Sequence, residues 1–320
     1  MRQIILLCLL MLWGGFTVQA QDMIPQELAD EDGQFATIGD VDLYYIAQGN
    51  VADPAVILIH GFGGSTFTWR DNIDVLVDAG YYVVALDLPP FGLSDKSPEI
   101  DYTRNAYADY IAGLMDTLNI ERATFVGHSM GGSTTAYFAV RYPERVEQLV
   151  FVAGGLFDSE TMGIQEADGD SGGSPLGFLS TIDLESEQAR FILETALIPT
   201  TFAGLIESAY YDSSIMTDEV IEGYARPILV EDWAPGFIAY WQAVDSETIT
   251  LGDLAEAIND LRVLIIWGEQ DSWVPLAMGR AMQEALVNSR LITYEAVGHL
   301  PMEEAVEAFN TDLIAFLNGS

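Results

Sequence analysis

Gly127-His128-Ser129-Met130-Gly131 puts a serine at the apex of a glycine-flanked turn, and no other stretch constrains the fold as strongly. It follows a short apolar strand, Ala123-Thr124-Phe125-Val126. It leads into a helix-like segment from Gly132 to Arg141 that ends before Pro143. Strand, sharp turn, helix is the context a nucleophile elbow requires. So tight a turn strains the backbone of the central residue and leaves no room for side chains beside it, hence the glycines. The Ser129 hydroxyl then stands clear of the sheet at a helix N-terminus. Free N–H groups and the helix dipole there favour a developing negative charge.

The rest of the chain supplies a sheet to carry this turn. Phe35 to Ile38 and Val41 to Ala47 alternate around Gly39-Asp40 and predict a hairpin. Ala55-Val56-Ile57-Leu58-Ile59 is a continuous apolar run, as in a buried parallel strand. A helix is expected over Asp71 to Ala79, a strand over Tyr81 to Leu86, and a Thr103-capped helix to Leu118. Further strands are expected at Gln148 to Val152, Arg262 to Trp267 and Arg290 to Glu295, with helices at Leu276 to Leu286 and Glu303 to Leu317. Strands alternating with helices predict an α/β fold with a mostly parallel sheet.

The alternation breaks at Gly154-Gly155. From about Leu156 to Val244 no core strand is expected, so 156–244 reads as a helical cap inserted into a core made of 21–155 and 245–320. The cap is rich in large apolar residues, including Phe157, Met162, Phe178, Phe191, Phe202, Tyr210, Trp233, Phe237, Tyr240 and Trp241, a minority of which are expected to line a pocket. Ala167 to Pro175 reads as a flexible loop, because its two Asp residues lack the other acids of a calcium loop.

Residues 1–20 stand apart. Arg2, an apolar run from Ile4 to Phe16 and the small residues around Ala20 read as a signal peptide cleaved before Gln21, with export to a periplasm or the medium. An uncleaved membrane anchor is the alternative, although the run is short for a bilayer span. Cys8 is the sole cysteine, so the mature chain would hold no disulfide and no thiolate-bound metal. The 320 residues carry 49 acidic and 12 basic side chains, net −37, spread along the chain. Such a surface repels nucleic acid and anionic membranes. An ordinary acidic exported protein or adaptation to salt would both explain it.

A serine hydroxyl needs a base within hydrogen-bond reach, and the base needs an orienting acid. The chain has three histidines. His128 lies inside the elbow, where its side chain is expected to point away from Ser129. His60 abuts a glycine-rich loop and reads as structural. His299 remains, on a loop just past the last strand at the sheet edge where ligands bind in open α/β folds. The acid should lie on another post-strand loop: Asp271 first, then Glu269, then Asp158. The oxyanion needs two donors. The backbone N–H groups of Met130 and of Phe62, within His60-Gly61-Phe62-Gly63-Gly64, are the candidates.

Taken together, HGFGG at 60–64, GHSMGG at 127–132, GEQDSWVP at 268–275 and GHLPMEE at 298–304 resemble the α/β-hydrolase superfamily over nearly all of the mature length. The order Ser129, Asp271, His299 is that of the superfamily. The resemblance implies an α/β-hydrolase fold with a lid after its sixth strand. Asp87 to Ser94 resembles the family's D-x-P-G-x-G-x-S turn but carries Pro90 where glycine is usual. Serine at the elbow argues against the aspartate-dependent dehalogenases and epoxide hydrolases of the superfamily. Serine, histidine and an oxyanion hole imply acyl transfer through an acyl-enzyme, with no metal or organic cofactor. The expectation is a carboxylesterase or lipase-like enzyme acting on a small-molecule apolar ester, with no nucleic-acid partner and no stable membrane insertion of the mature chain. C–C bond hydrolases, lactonases, perhydrolases and aminopeptidases use the same machinery. A catalytically silent binding protein is the alternative of another class.

Overall fold

The computed structural model describes residues 23–156 and 198–319, except 232, 244, 246 and 247. After a short helix α1 (Pro25–Leu28), β1 (Gly33–Ile38) and β2 (Val41–Gln48) form an antiparallel hairpin. The apolar runs follow as β3 (Ala55–Ile59), β4 (Tyr82–Leu86), β5 (Ala123–His128), β6 (Val146–Val152) and β7 (Val263–Gly268), with β8 (Ser289–Tyr294) at the far edge. The sheet order is β1-β2-β4-β3-β5-β6-β7-β8. From β4 onward every pair is parallel, while β2 joins β4 antiparallel. The near-continuous burial of β3 to β7 follows from helices covering both faces.

On one face lie α3 (Arg104–Thr117), α4 (Met130–Arg141), α8 (Leu251–Ala257) and α9 (Leu276–Ala285). Thr103 caps α3 by accepting from the Ala106 N–H at 3.2 Å, and Tyr107, Ile111 and Leu114 face the sheet. Phe125 of β5 and Phe138 of α4 meet with ring centroids 4.3 Å apart. On the other face lie α2 (Ile73–Asp78), α10 (Pro301–Glu304) and α11 (Val306–Leu317), packed on Trp69, Leu58 and Phe309. Each such aromatic or aliphatic side chain contributes about 1.5–3 kcal/mol by leaving water. Between β6 and α8 the described residues form α5 (Ile198–Ala209), α6 (Asp218–Ala225) and α7 (Trp233–Gln242), with no sheet strand among them.

Several bounds differ from the sequence reading. β6 begins two residues earlier, at Val146, which pairs with Ala123 across a register irregularity at Ala123/Thr124. The helix expected over 71–79 is present as α2, trimmed to Ile73–Asp78, and a 3-10 turn, Thr66–Trp69, precedes it. The expected terminal helix breaks at Ala305 (φ −129°, ψ 45°), separating α10 from α11. The α8 helix was not expected. Its signal is the capping box in which Thr250 and Asp253 bond each other's backbone N–H.

The loop after β4, where Pro90 replaces the usual glycine, closes around buried polar groups. The Pro89–Pro90 peptide is cis. Asp87 accepts from the N–H groups of Thr66 (2.5 Å) and Leu93 (2.7 Å), and Lys96 Nζ donates to the carbonyls of Pro90, Gly92 and Ser94. His60 Nε2 accepts from the Leu88 N–H at 2.9 Å while Nδ1 lies 2.7 Å from the Gly61 carbonyl. Burial pushes Asp87 up to about 6 and Lys96 down to about 8. Burial likewise pushes His60 down to about 4.

A depressed histidine contributes stability that is present above its unfolded pKa and is lost as pH falls toward its folded one. His60→Gln keeps an acceptor for Leu88 but cannot titrate. Between pH 7 and pH 4 the stability of the native chain relative to this variant should therefore fall, by something on the order of 3 kcal/mol. Urea unfolding of both proteins at the two pH values measures this. An unchanged difference would count against His60 as a buried neutral imidazole.

Candidate active site

Ser129 joins β5 to α4 with φ 52° and ψ −116°, a backbone state that costs a non-glycine residue about 1–3 kcal/mol. Main-chain bonds hold it there. Its N–H donates to Val152 at 2.9 Å, and its carbonyl accepts from Gly132 at 2.9 Å. The elbow glycines are required by contact. A Cβ on Gly131 would lie 2.3 Å from the Ile59 carbonyl oxygen, and one on Gly127 would lie 2.4 Å from the Gly131 oxygen.

Asp271 and His299 arrive on the loops after β7 and β8. His299 Nδ1 lies 2.8 Å from Asp271 Oδ2. A carboxylate accepts, so Nδ1 carries the proton and Nε2 presents its lone pair. Asp271 Oδ1 accepts from the N–H groups of Trp273 and Val274, both at 2.8 Å. The carboxylate is thus fully desolvated yet satisfied. The Trp273 ring stacks on His299 at 5.3 Å, fixing the imidazole plane. Glu269, the second candidate acid, instead accepts from the Thr293 hydroxyl at an exposed site. Asp158, the third, lies outside the described residues, as does the loop 167–175.

Ser129 and His299 line a cavity of about 20 Å³ with Gly61, Phe62, Thr68, His128 and Tyr224 among its walls. On its other side Ser129 borders a pocket of about 310 Å³, together with Met130, Arg104, Ser133 and Tyr137. The N–H groups of Phe62 and Met130 have no hydrogen-bond acceptor among the described residues, as an oxyanion site demands. Around Phe62 the rings of Phe91, Phe237, Tyr240 and Trp241 lie 5.2 to 6.1 Å away. The Tyr240 hydroxyl meets Met130 Sδ at 3.1 Å. One residue of α7 therefore touches the side chains of both candidate donors.

His128 departs from expectation. Its side chain does not turn away from Ser129 but shares the small cavity with it, its Nε2 2.9 Å from the His299 carbonyl oxygen. The contact with the His299 carbonyl holds the ring on that side.

The sequence reading also missed the acids that fasten this loop. Glu303 is buried and accepts from Arg70 Nη2 at 2.6 Å, the Tyr210 hydroxyl at 2.6 Å and the Tyr224 hydroxyl. Glu304 accepts from the N–H groups of Gly298 (2.9 Å) and Tyr211 (2.8 Å), and the His299 N–H donates to Ala209 at 2.8 Å. The His299 loop is thereby tied to the segment after α5. The signal was present in the run Pro301-Met302-Glu303-Glu304, an acid pair beside a candidate base, but it stood among 49 acids. Among the described residues no cluster of His, Cys, Asp or Glu could hold a metal ion, and no helix is long and apolar enough to cross a membrane.

A profile of the alpha/beta hydrolase fold family matches residues 54–306. A 2-hydroxy-6-oxononadienedioate/2-hydroxy-6-oxononatrienedioate hydrolase of Paraburkholderia phymatum is 29% identical over 270 residues, covering 82% of this chain and 86% of that protein. A 2-hydroxy-6-oxo-6-phenylhexa-2,4-dienoate hydrolase of Comamonas testosteroni is 29% identical over 293 residues, covering 89% of this chain and 96% of that one. A solved meta-cleavage product hydrolase from Pseudomonas fluorescens superposes with TM-score 0.70 at 25% identity, covering 90% and 98% of the two chains. The chain belongs to the α/β-hydrolase family and is a hydrolase.

The Asp271 bond that fixes the His299 tautomer generates a prediction. Asp271→Asn leaves the fold intact but lets the imidazole carry its proton on Nε2. Turnover should fall by about 10⁴-fold, while a thermal melt shifts little. A loss below tenfold would remove Asp271 from the machinery.

Proposed function

We propose that this α/β-hydrolase works by covalent catalysis on Ser129 and that its substrate is a vinylogous diketone cleaved at a C–C bond. Ser129 Oγ adds to a ketone carbon as His299 Nε2 takes its proton. The Phe62 and Met130 N–H groups hold the resulting oxyanion. Collapse expels the carbon leaving group, which His299 protonates, and water then hydrolyses the acyl-enzyme. The paired Asp271–His299 geometry beside the strained Ser129 supports the covalent route.

One observation carries the choice of substrate. The relatives matched over 82% and 89% of this chain are named for dienoates with a 6-oxo group, in which a ketone is conjugated to an enol. Attack there breaks a C–C bond, since the dienol is a stabilised carbon leaving group. This replaces a plain carboxylic ester as the leading reading.

The ester stays as a second reading for a specific reason. A dienoate carries a carboxylate, whereas Arg104, which borders the larger pocket, is already paired with Asp245. That pairing suits a neutral substrate.

The test measures wild type and Ser129→Ala on a 2-hydroxy-6-oxo-dienoate and on p-nitrophenyl esters. The expected outcome is faster turnover of the dienoate, lost in Ser129→Ala by about 10⁴-fold or more. Turnover of esters alone would shift the assignment to esterase. Equal rates in wild type and Ser129→Ala would sink the covalent route.

We also propose that the chain is exported and trimmed near Ala20, on the strength of its N-terminal pattern. Expressed at full length in a bacterial host, it should yield a protein whose intact mass begins at Gln21. An unprocessed mass in the membrane fraction would favour the anchor.

A further inference from the structure

We infer that His128 holds the water that hydrolyses the acyl-enzyme. This rests on covalent catalysis at Ser129, though not on which bond breaks in forming the acyl group. The His299 carbonyl oxygen, 2.9 Å from His128 Nε2, can only accept a proton donor. Nε2 therefore carries the hydrogen, and Nδ1 presents a lone pair. Burial, aided by the neighbouring His299, keeps His128 well below the ordinary histidine range, so it stays neutral.

That lone pair has no use within the fold. His128 Nδ1 is buried and has no hydrogen-bond partner among the described residues, and the same holds for His299 Nε2. Both side chains line the cavity of about 20 Å³ beside Ser129. One water needs about 10–15 Å³. The two imidazole centroids lie 4.8 Å apart. A water donating to two acceptors through bonds of about 2.8 Å, at its roughly tetrahedral angle, bridges about 4.5 Å. Nδ1 also lies close to Ser129: a Cβ built on Gly61 would lie 2.7 Å from His128 Nδ1 and 3.0 Å from Ser129 Cβ.

The hydrolytic step then balances. One O–H of the water donates to His128 Nδ1 and stays there as a hydrogen bond. The other points at His299 Nε2. The water oxygen adds to the acyl carbon as His299 takes that second proton. The tetrahedral oxyanion collapses and the bond from the acyl carbon to Ser129 Oγ breaks, its electron pair going to Oγ. His299 returns the proton to Oγ, and the carboxylic acid leaves.

A purely structural role makes a different forecast. By supporting the His299 carbonyl, His128 would act on the base itself. His299 serves both half-reactions, so acylation and deacylation would slow together. Loss of a water site slows deacylation alone.

Stopped-flow kinetics with p-nitrophenyl acetate separates the two. The burst reports acylation, the steady state reports deacylation, and intact mass reports the acetyl group on Ser129. Titration with a fluorophosphonate counts folded, competent sites in each preparation. In His128→Ala the burst rate should stay within about twofold of wild type, while deacylation slows at least about tenfold and acetyl-enzyme accumulates. His128→Asn, whose amide can both donate to His299 and accept from water, should recover part of the loss. It carries the comparison alone if the alanine variant takes up no fluorophosphonate. A parallel fall in both phases, or unchanged deacylation, overturns the water site. A wild type whose Ser129 takes up neither acetyl nor fluorophosphonate overturns the covalent reading instead, before any variant is made.

Discussion

The close approach of three backbone segments around Ser129 is the constraint on which the site depends. The carbonyl of Ile59 in β3, the N-terminus of α4 and the strand end at Val152 meet where any added Cβ would collide. Parallel pairing of β3, β5 and β6 brings them there in register. The strain at Ser129 is therefore sustained by the sheet rather than by the turn itself. Backbone states of this cost persist only where the surroundings leave no alternative.

Electrostatics around the site follow from burial. A chain of net charge −37 places Asp271 and Glu303 side chains wholly out of water within one loop cluster. Each is answered locally. Asp271 faces two main-chain N–H groups and an imidazole, while Glu303 faces a guanidinium and two phenols. Buried carboxylates with such partners are tolerated, whereas unpaired ones are not. The excess acid sits elsewhere, so the surface charge says little about the chemistry inside.

Much of this was legible in the residues. Continuous apolar runs marked the parallel strands because both of their faces are covered, and Ser129, Asp271 and His299 stood out because each follows such a run. What escaped depended on three-dimensional neighbours. The orientation of His128 goes with its contact to the His299 carbonyl, 171 positions away, which spacing alone does not reveal. Glu303 and Glu304 point in different directions from a single turn of helix, one to Arg70 and the tyrosines, the other to main-chain N–H groups. Several of these partners are distant in the chain, Tyr210 and Tyr211 by 93 positions and Arg70 by 233. The substrate was least legible of all, because the elbow, acid and base are common to many reactions and the leaving group touches none of them.

Tyr240 has a bearing on descent. A single α7 side chain rests on Phe62 through its ring and on Met130 through its hydroxyl. The helix is thus also a buttress for the two residues whose amides are the candidate oxyanion donors. Two such duties on one residue bind their histories together. A cap traded between relatives as a detachable module would arrive with a new appetite but without the strut, unless its incoming helix carried an aromatic at the same height. Diversification of a scaffold like this one should proceed by editing the cap around that anchor rather than by wholesale exchange.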